Sequence, residues 1–210
     1  GSGKTTLINL LPRFYDVTAG SVKIDGKNVK EYDLKTLREK FGIVPQKAVL
    51  FHGTIRDNML LGNENASDEE IWEALRIAQA DNIVKEKEKE LDTIIQEGGK
   101  NLSGGQKQRL TIARALVRKP EILILDDSTS ALDFATDAKL RKAIANHTDS
   151  MTVCIVSQRV MSMMRADKIF VLDKGKLVGN GTHEELLKTC EVYKEICSSQ
   201  LSKEEVARHA

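Results

Sequence analysis

No stretch of these 210 residues is long and apolar enough to cross a bilayer. The longest apolar runs, such as Ile122-Leu123-Ile124-Leu125, are strand-sized against the ~20 residues a spanning helix needs. An excess of one charge is also lacking. Lys and Arg number 32 against 31 Asp and Glu, a net charge of +1, which gives no global electrostatic reason to expect a nucleic-acid partner. Cysteine is scarce. Cys154, Cys190 and Cys197 are odd in number and lack metal-type spacing, so they read as reduced thiols in a cytosolic domain. Internal repeats, low-complexity linkers and a secretory signal ahead of the first predicted helix are absent from the sequence. What remains is an ordinary globular balance, 40% hydrophobic and 30% charged, with enough apolar material for a core. The length fits one domain, or one domain with a subdomain.

Strand and helix patterns alternate along the chain. A first helix is predicted from about Thr5 to Leu11, and a half-buried strand over Ser21 to Asp25 ending at Gly26. Ile43-Val44 reads as a short strand ending in Pro45-Gln46. Ser67-Asp68-Glu69-Glu70 is a capping box opening a helix with Ile71, Leu75 and Ala78 on one face, and Trp72 on it reads as packing. Alternating charge from Lys85 to Glu90 reads as a solvated helix face or end. A helix follows Ser103 to about Arg118, with Leu110, Ala113, Leu116 and Val117 as its stripe and Pro120 beyond its end. Ile122–Leu125 and Thr152–Val156 read as buried strands, with a helix from Phe134 to His147 between them. Asp173-Lys174-Gly175 is a hairpin signal, and Thr182-His183-Glu184-Glu185 a second capping box. His183 reads as a capping or surface group, and Met161, Met163 and Met164 as packing. The alternation predicts an α/β fold with a mainly parallel sheet. The expected organisation is one domain over 1–210, with a core of 1–55 and 119–210 and a helical subdomain of about 56–118.

Two segments carry chemistry. Gly1-Ser2-Gly3-Lys4-Thr5-Thr6 matches the second half of G-x-x-x-x-G-K-[ST]. In that pattern Gly3 lets backbone amides approach phosphates, Lys4 reaches the β- and γ-phosphates, and the Thr5 hydroxyl coordinates Mg²⁺; the dipole of the following helix adds to this. The chain opens inside this loop, so an N-terminal part is expected to be missing. Ile122 to Leu125 then delivers Asp126 and Asp127 at a strand's C-terminal end, where open α/β sheets bind ligands. Asp126 is placed to hold the Mg²⁺ hydration shell, and Asp127 to face an attacking water.

Leu102-Ser103-Gly104-Gly105-Gln106 resembles, without departure, the signature of ATP-binding-cassette proteins. Lys107-Gln108-Arg109-Leu110 and Ile112-Ala113-Arg114-Ala115-Leu116 continue the family pattern, and the resemblance runs from Gly1 to about Cys197. Physically, a Ser and two glycines at a helix N-terminus form an anion site. The resemblance implies a RecA-like P-loop ATPase core with ATP and Mg²⁺ as cofactors. It implies that Gln46 touches Mg²⁺ and the lytic water, and that Ser130-Ala131-Leu132-Asp133 is the loop crossing to a partner cassette. Phe51-His52-Gly53-Thr54-Ile55-Arg56-Asp57-Asn58 and Glu97-Gly98-Gly99 are similar to segments of the exporter subgroup. The expected partners are therefore a second cassette, closing head to tail, and an exporter's transmembrane domain outside this sequence. That places the chain on the cytoplasmic face of the plasma (inner) membrane, with no nucleic acid involved. The residue that stacks on adenine would lie ahead of Gly1.

Two positions depart from the pattern. Asp127 stands where the family usually has Glu, and Gln158, in Ile155-Val156-Ser157-Gln158-Arg159, stands where it usually has His. Aspartate is one methylene shorter, and glutamine carries neither a proton for exchange nor a positive charge. Together they resemble the degenerate half of a heterodimeric, multidrug-type exporter. A soluble cassette acting on nucleic acid or ribosomes would need a basic stripe, a coiled coil or a tandem cassette, none of which the sequence shows. An importer ATPase fits the exporter-like segments poorly. A nucleotide-binding regulatory cassette without turnover stays open.

Overall fold

The structure, a computed structural model, describes residues 2–147 and 151–200. In chain order the elements are α1 (Lys4–Asn9), β1 (Lys23–Ile24), β2 (Lys27–Asn28), α2 (Leu34–Glu39), β3 (Phe41–Val44), β4 (Gly53–Thr54), α3 (Ile55–Leu60), α4 (Asp68–Ile77), α5 (Asp81–Lys85), β5 (Ile94–Ile95), α6 (Gly104–Val117), β6 (Ile122–Asp126), α7 (Phe134–Asn146), β7 (Thr152–Val156), β8 (Ile169–Asp173), β9 (Lys176–Gly181), α8 (His183–Thr189) and α9 (Glu191–Gln200). They fall into two compact units, Gly1–Glu31 with Ile155–Ala210, and Tyr32–Cys154.

The second unit holds β3, β6 and the start of β7, through Cys154, in a sheet of order β3-β6-β7. β3 and β6 run parallel, in register from Phe41 opposite Ile122 to Val44 opposite Leu125. Leu123, Ile124 and Leu125 are buried, as a continuous apolar run on a central parallel strand requires. Only Val156 of β7 is buried, which corrects the reading of Thr152–Val156 as a buried strand. β7 is the last strand of the order and, among the described residues, has a strand neighbour on one side only.

α6 packs against β3, α3 and α4. Its predicted stripe of Leu110, Ala113, Leu116 and Val117 is buried, together with Ile71 and Leu75 of α4 and Ile55 and Met59 of α3. A Cβ on Gly62 would come within 2.2 Å of the Arg114 carbonyl oxygen, so only glycine lets the chain leaving α3 pass this close to α6. Ser67 caps α4 with a complete capping box, as its sequence predicts. The alternating charges after α5 are mostly exposed and sit at that helix's end.

In the first unit, β8 and β9 form the expected antiparallel hairpin, with Asp173 opposite Lys176. α8 and α9 share one apolar cluster with it: Val160, Ile169, Val171, Leu186, Cys190, Tyr193 and Cys197. Thr182 caps α8 as predicted. His183 is not a surface or capping group; it is 5% exposed, and its Nδ1 lies 2.8 Å from the Tyr193 hydroxyl. The first residue of α8 turns inward, where the phenol meets one nitrogen of its ring. Met163 and Met164 pack against the cluster, whereas Met161 is 53% exposed. Met161 falls between Val160 and Ser162, the buried positions of its short 3-10 turn.

Candidate nucleotide site

Ser2–Thr6 and Gln158 belong to the first unit, and Gln46, Ser103–Gln106, Asp126, Asp127 and Asp133 to the second. Gly1 lies outside the described residues.

Gly3 caps α1 with φ 87° and ψ 9°. That left-handed conformation is the demand for glycine, since an added Cβ would meet nothing nearer than the Gly175 Cα at 3.9 Å. Lys4 Nζ donates to the Ser2 hydroxyl at 2.9 Å. Thr5 and Thr6 are exposed, and the first turn of α1 carries no acidic side chain. Amides, an ammonium and hydroxyls on a turn without an acidic side chain of its own suit a phosphate chain.

In the second unit the parallel register decides the site. Val44 is opposite Leu125, so the residues after each strand emerge together. Gln46 Nε2 donates to Asp127 Oδ2 at 3.2 Å, bringing two predicted residues into contact across 81 positions of sequence. Asp127 has φ 46°, a left-handed backbone that non-glycine residues adopt at a cost of order 1–3 kcal/mol and that clusters at functional sites. Asp126 completes β6 just before it.

Ser103 is the N-cap of α6. Its Oγ accepts from the Gln106 N–H at 3.2 Å, and Gln106 Oε1 accepts from the Ser103 N–H at 2.9 Å. The cap uses a lone pair of the hydroxyl and leaves its proton for donation. A Cβ on Gly104 would meet nothing within 4 Å, and one on Gly105 would lie 3.5 Å from the Ala131 carbonyl. The signature and the Ser130–Asp133 segment are thus neighbours. Asp133 is the N-cap of α7, accepting from the Thr136 N–H at 2.9 Å and the Thr136 hydroxyl at 2.7 Å. These donors hold its carboxyl below the usual carboxylate range.

The chain after Gln46 is held by two side chains whose part the sequence did not show. Arg114 of α6 donates to the Val49 carbonyl at 2.9 Å, and its guanidinium lies 5.8 Å from the Phe51 ring centroid. Burial draws the Arg114 guanidinium below its ordinary pKa. Asn58, 1% exposed, bonds the Phe51 N–H and carbonyl at 2.9 Å each and the Thr54 carbonyl at 3.0 Å. A charged residue interrupting the apolar stripe of α6 was the available signal for Arg114; Asn58 stood only as the last letter of a motif.

The family description "ABC transporter" matches residues 1–130. The chain belongs to the ABC transporter family. This ABC chain is 47% identical over 204 residues to an uncharacterized ABC transporter ATP-binding protein of Bacillus subtilis, covering 97% of this chain and 35% of that protein. A protein of Mycobacterium bovis named in the same words is 46% identical over 203 residues, 95% of this chain and 34% of its own length. A Staphylococcus aureus protein, provisionally named a multidrug export ATP-binding/permease protein, is 44% identical over 200 residues, 95% of this chain and 35% of its own. Among solved structures, a bacterial Atm1-family ABC exporter with ATP bound aligns with TM-score 0.92 and 36% identity, covering 96% of this chain and 36% of that one. The chain therefore spans about a third of the length of the relatives it matches, and its fold is the α/β P-loop ATPase core of this family.

Proposed function

We propose that this ABC chain is the ATP-binding and ATP-hydrolysing cassette of an exporter, and that its own nucleotide site is hydrolytically weak. The signature carries the first half of the reading. Ser103 and Gly104 are exposed at the N-terminus of a 14-residue helix, with a hydroxyl proton and open amides available to an anion. Ser2 to Thr6 are the residues to hold the phosphates, and Thr5, Asp126 and Gln46 those to hold Mg²⁺ when it is bound. The bound metal would neutralise charge on the phosphate oxygens. Ser103–Gln106 and Asp133 serve the nucleotide of a partner cassette closing head to tail.

The weak-site reading rests on Asp127 and Gln158. Asp127 is a short carboxylate on a left-handed backbone, bonded by Gln46. Gln158 is exposed and offers no exchangeable charge. The partner is then a non-identical chain with an intact catalytic pair.

Export is supported by the Phe51–Asn58 segment, which folds as a unit: Thr54 and Asp57 form the capping box of α3 while Asn58 holds Phe51. Beside it is a pocket of about 330 Å³ lined by Phe51, His52, Asp57, Asn58 and Leu61. Phe51 and Leu61 are 55% and 59% exposed, an apolar rim suited to the exporter's membrane domain on the cytoplasmic side. Among the described residues no helix is long and apolar enough to cross a membrane. α3 to α6 would form the helical subdomain that receives this contact.

Ser103→Asp in the full-length transporter is the test. Aspartate caps a helix about as well as serine, so stability should hold while a carboxylate meets the partner's γ-phosphate. Turnover at the partner's site should fall at least about a hundredfold, the scale of losing one phosphate-stabilising donor, with ATP still bound at Lys4. Loss of nucleotide from this chain's own loop, with normal partner turnover, would overturn the assignment.

A further inference from the structure

The loop that carries Gln158 is held by the far end of the chain. Gln200, the last residue of α9, donates from Nε2 to the Gln158 carbonyl at 2.7 Å and accepts at Oε1 from the Val160 N–H at 2.9 Å. Arg159 between them is extended, with φ −93° and ψ 117°. In an extended segment the C=O of one residue and the N–H two residues on point to the same side, where a neighbouring strand would bond both. A carboxamide carries one acceptor and two donors on one planar group, so Gln200 takes that strand's place. The Ser157 hydroxyl accepts from the Arg159 N–H at 3.0 Å and holds the same turn from within.

The clamp has a firm base. Tyr193 and Cys197 of α9 are buried in one cluster with Val160, the residue whose N–H Gln200 receives. Gln200 follows Tyr193 by seven positions and Cys197 by three, the spacing of one helix face. It therefore continues the buried stripe of α9 and ends it in a polar group that reaches backbone. The Gln158 side chain is exposed while its carbonyl is bound, so its direction from the loop is set by this contact.

We propose that Gln200 is a positioning residue for the Gln158 loop, and that docking of α9 thereby sets how firmly this site retains ATP. The inference rests on the proposed placement of Gln158 at the nucleotide. It is tested in the full-length protein with its partner cassette, using ATP as the probe. Gln200→Ala should speed hydrogen exchange of the Val160 amide roughly tenfold, the equilibrium weight of a hydrogen bond or two, and should speed ATP release severalfold. Gln200→Glu keeps an acceptor for Val160 but sets a carboxylate against the Gln158 carbonyl. It should restore Val160 protection while ATP release stays faster than in the parent. Unchanged exchange at Val160 in Gln200→Ala overturns the inference, and so does faster exchange with unchanged ATP release. Gln158→Ala, measured alongside, separates the two readings. If release responds to Gln158→Ala and not to Gln200→Ala, the clamp fails. If it responds to Gln200→Ala and not to Gln158→Ala, the placement of Gln158 at the nucleotide fails while the clamp stands.

Discussion

Replacing Asp127 with glutamate should raise hydrolysis at this chain's own site. The perturbation adds one methylene and carries the carboxylate further from a backbone fixed at φ 46°. A positioned general base contributes about 10²–10⁴ in rate, which is roughly 2.7–5.4 kcal/mol of barrier at 1.36 kcal/mol per decade. The backbone opposes part of the gain. Aspartate tolerates the left-handed region through local hydrogen bonding, whereas glutamate there carries a penalty on the order of 1 kcal/mol. Gln46 at 3.2 Å from Asp127 Oδ2 is an existing donor that can follow the longer side chain. The net expectation is about a tenfold to thousandfold faster turnover at this site. Adding Gln158→His should increase it again by restoring charge near the γ-phosphate. The assay is phosphate release from the full-length protein with its proposed partner cassette, the catalytic glutamate proposed for that partner changed to Gln so that only this site can turn over. A gain of no more than about twofold, well under one decade, with ATP binding intact, would refute the reasoning. It would mean that the shortened carboxylate is not what limits this site.

Asn58→Ala should destabilise the protein by about 2–4 kcal/mol, since three hydrogen bonds to backbone are lost at a buried position. Urea unfolding measures this, and a change under about 0.5 kcal/mol, the scale of an ordinary surface substitution, would show that the Phe51 loop is held by other contacts. A pH effect follows from the caps at Asp33, Asp57 and Asp133, whose carboxyls are held below the usual range chiefly by the N–H groups of Thr36, Thr54 and Thr136. A carboxylate with a depressed folded pKa contributes its full stability above the unfolded value and loses it as pH falls through the folded one. Acid unfolding should therefore steepen below about pH 4, and replacing all three by Asn, which caps without titrating, should flatten it.

How much of this was legible in the sequence depends on the range of the interaction. The capping boxes at Ser67 and Thr182, the hairpin at Asp173–Lys176 and the stripe of α6 are decided within a few residues, and they appear where the pattern puts them. The bond between Gln46 and Asp127 spans 81 positions and exists because β3 and β6 pair in one parallel register; no local pattern states that register. Arg114 on Val49 and Gln200 on Gln158 have the same character. His183 misled because a polar residue opening a helix usually faces water, and the Tyr193 hydroxyl that meets its buried ring comes from another helix.

Ser103 shows why a local and a functional reading need not compete. Taken alone, Ser-Gly-Gly-Gln could be merely a helix start, and the structure does place a full capping box there. Yet the cap consumes only acceptor capacity of the hydroxyl, and the first two helical residues are glycines, Gly104 with open space where a side chain would stand. A helix needs the oxygen of its N-cap serine; an anion needs its proton and the bare amides beside it. The same four residues satisfy both demands. Gly104 is therefore the position that separates them. Alanine there costs α6 nothing in helix propensity and narrows the approach to its amides, so a loss of partner turnover in Gly104→Ala at unchanged stability would come from the anion site alone.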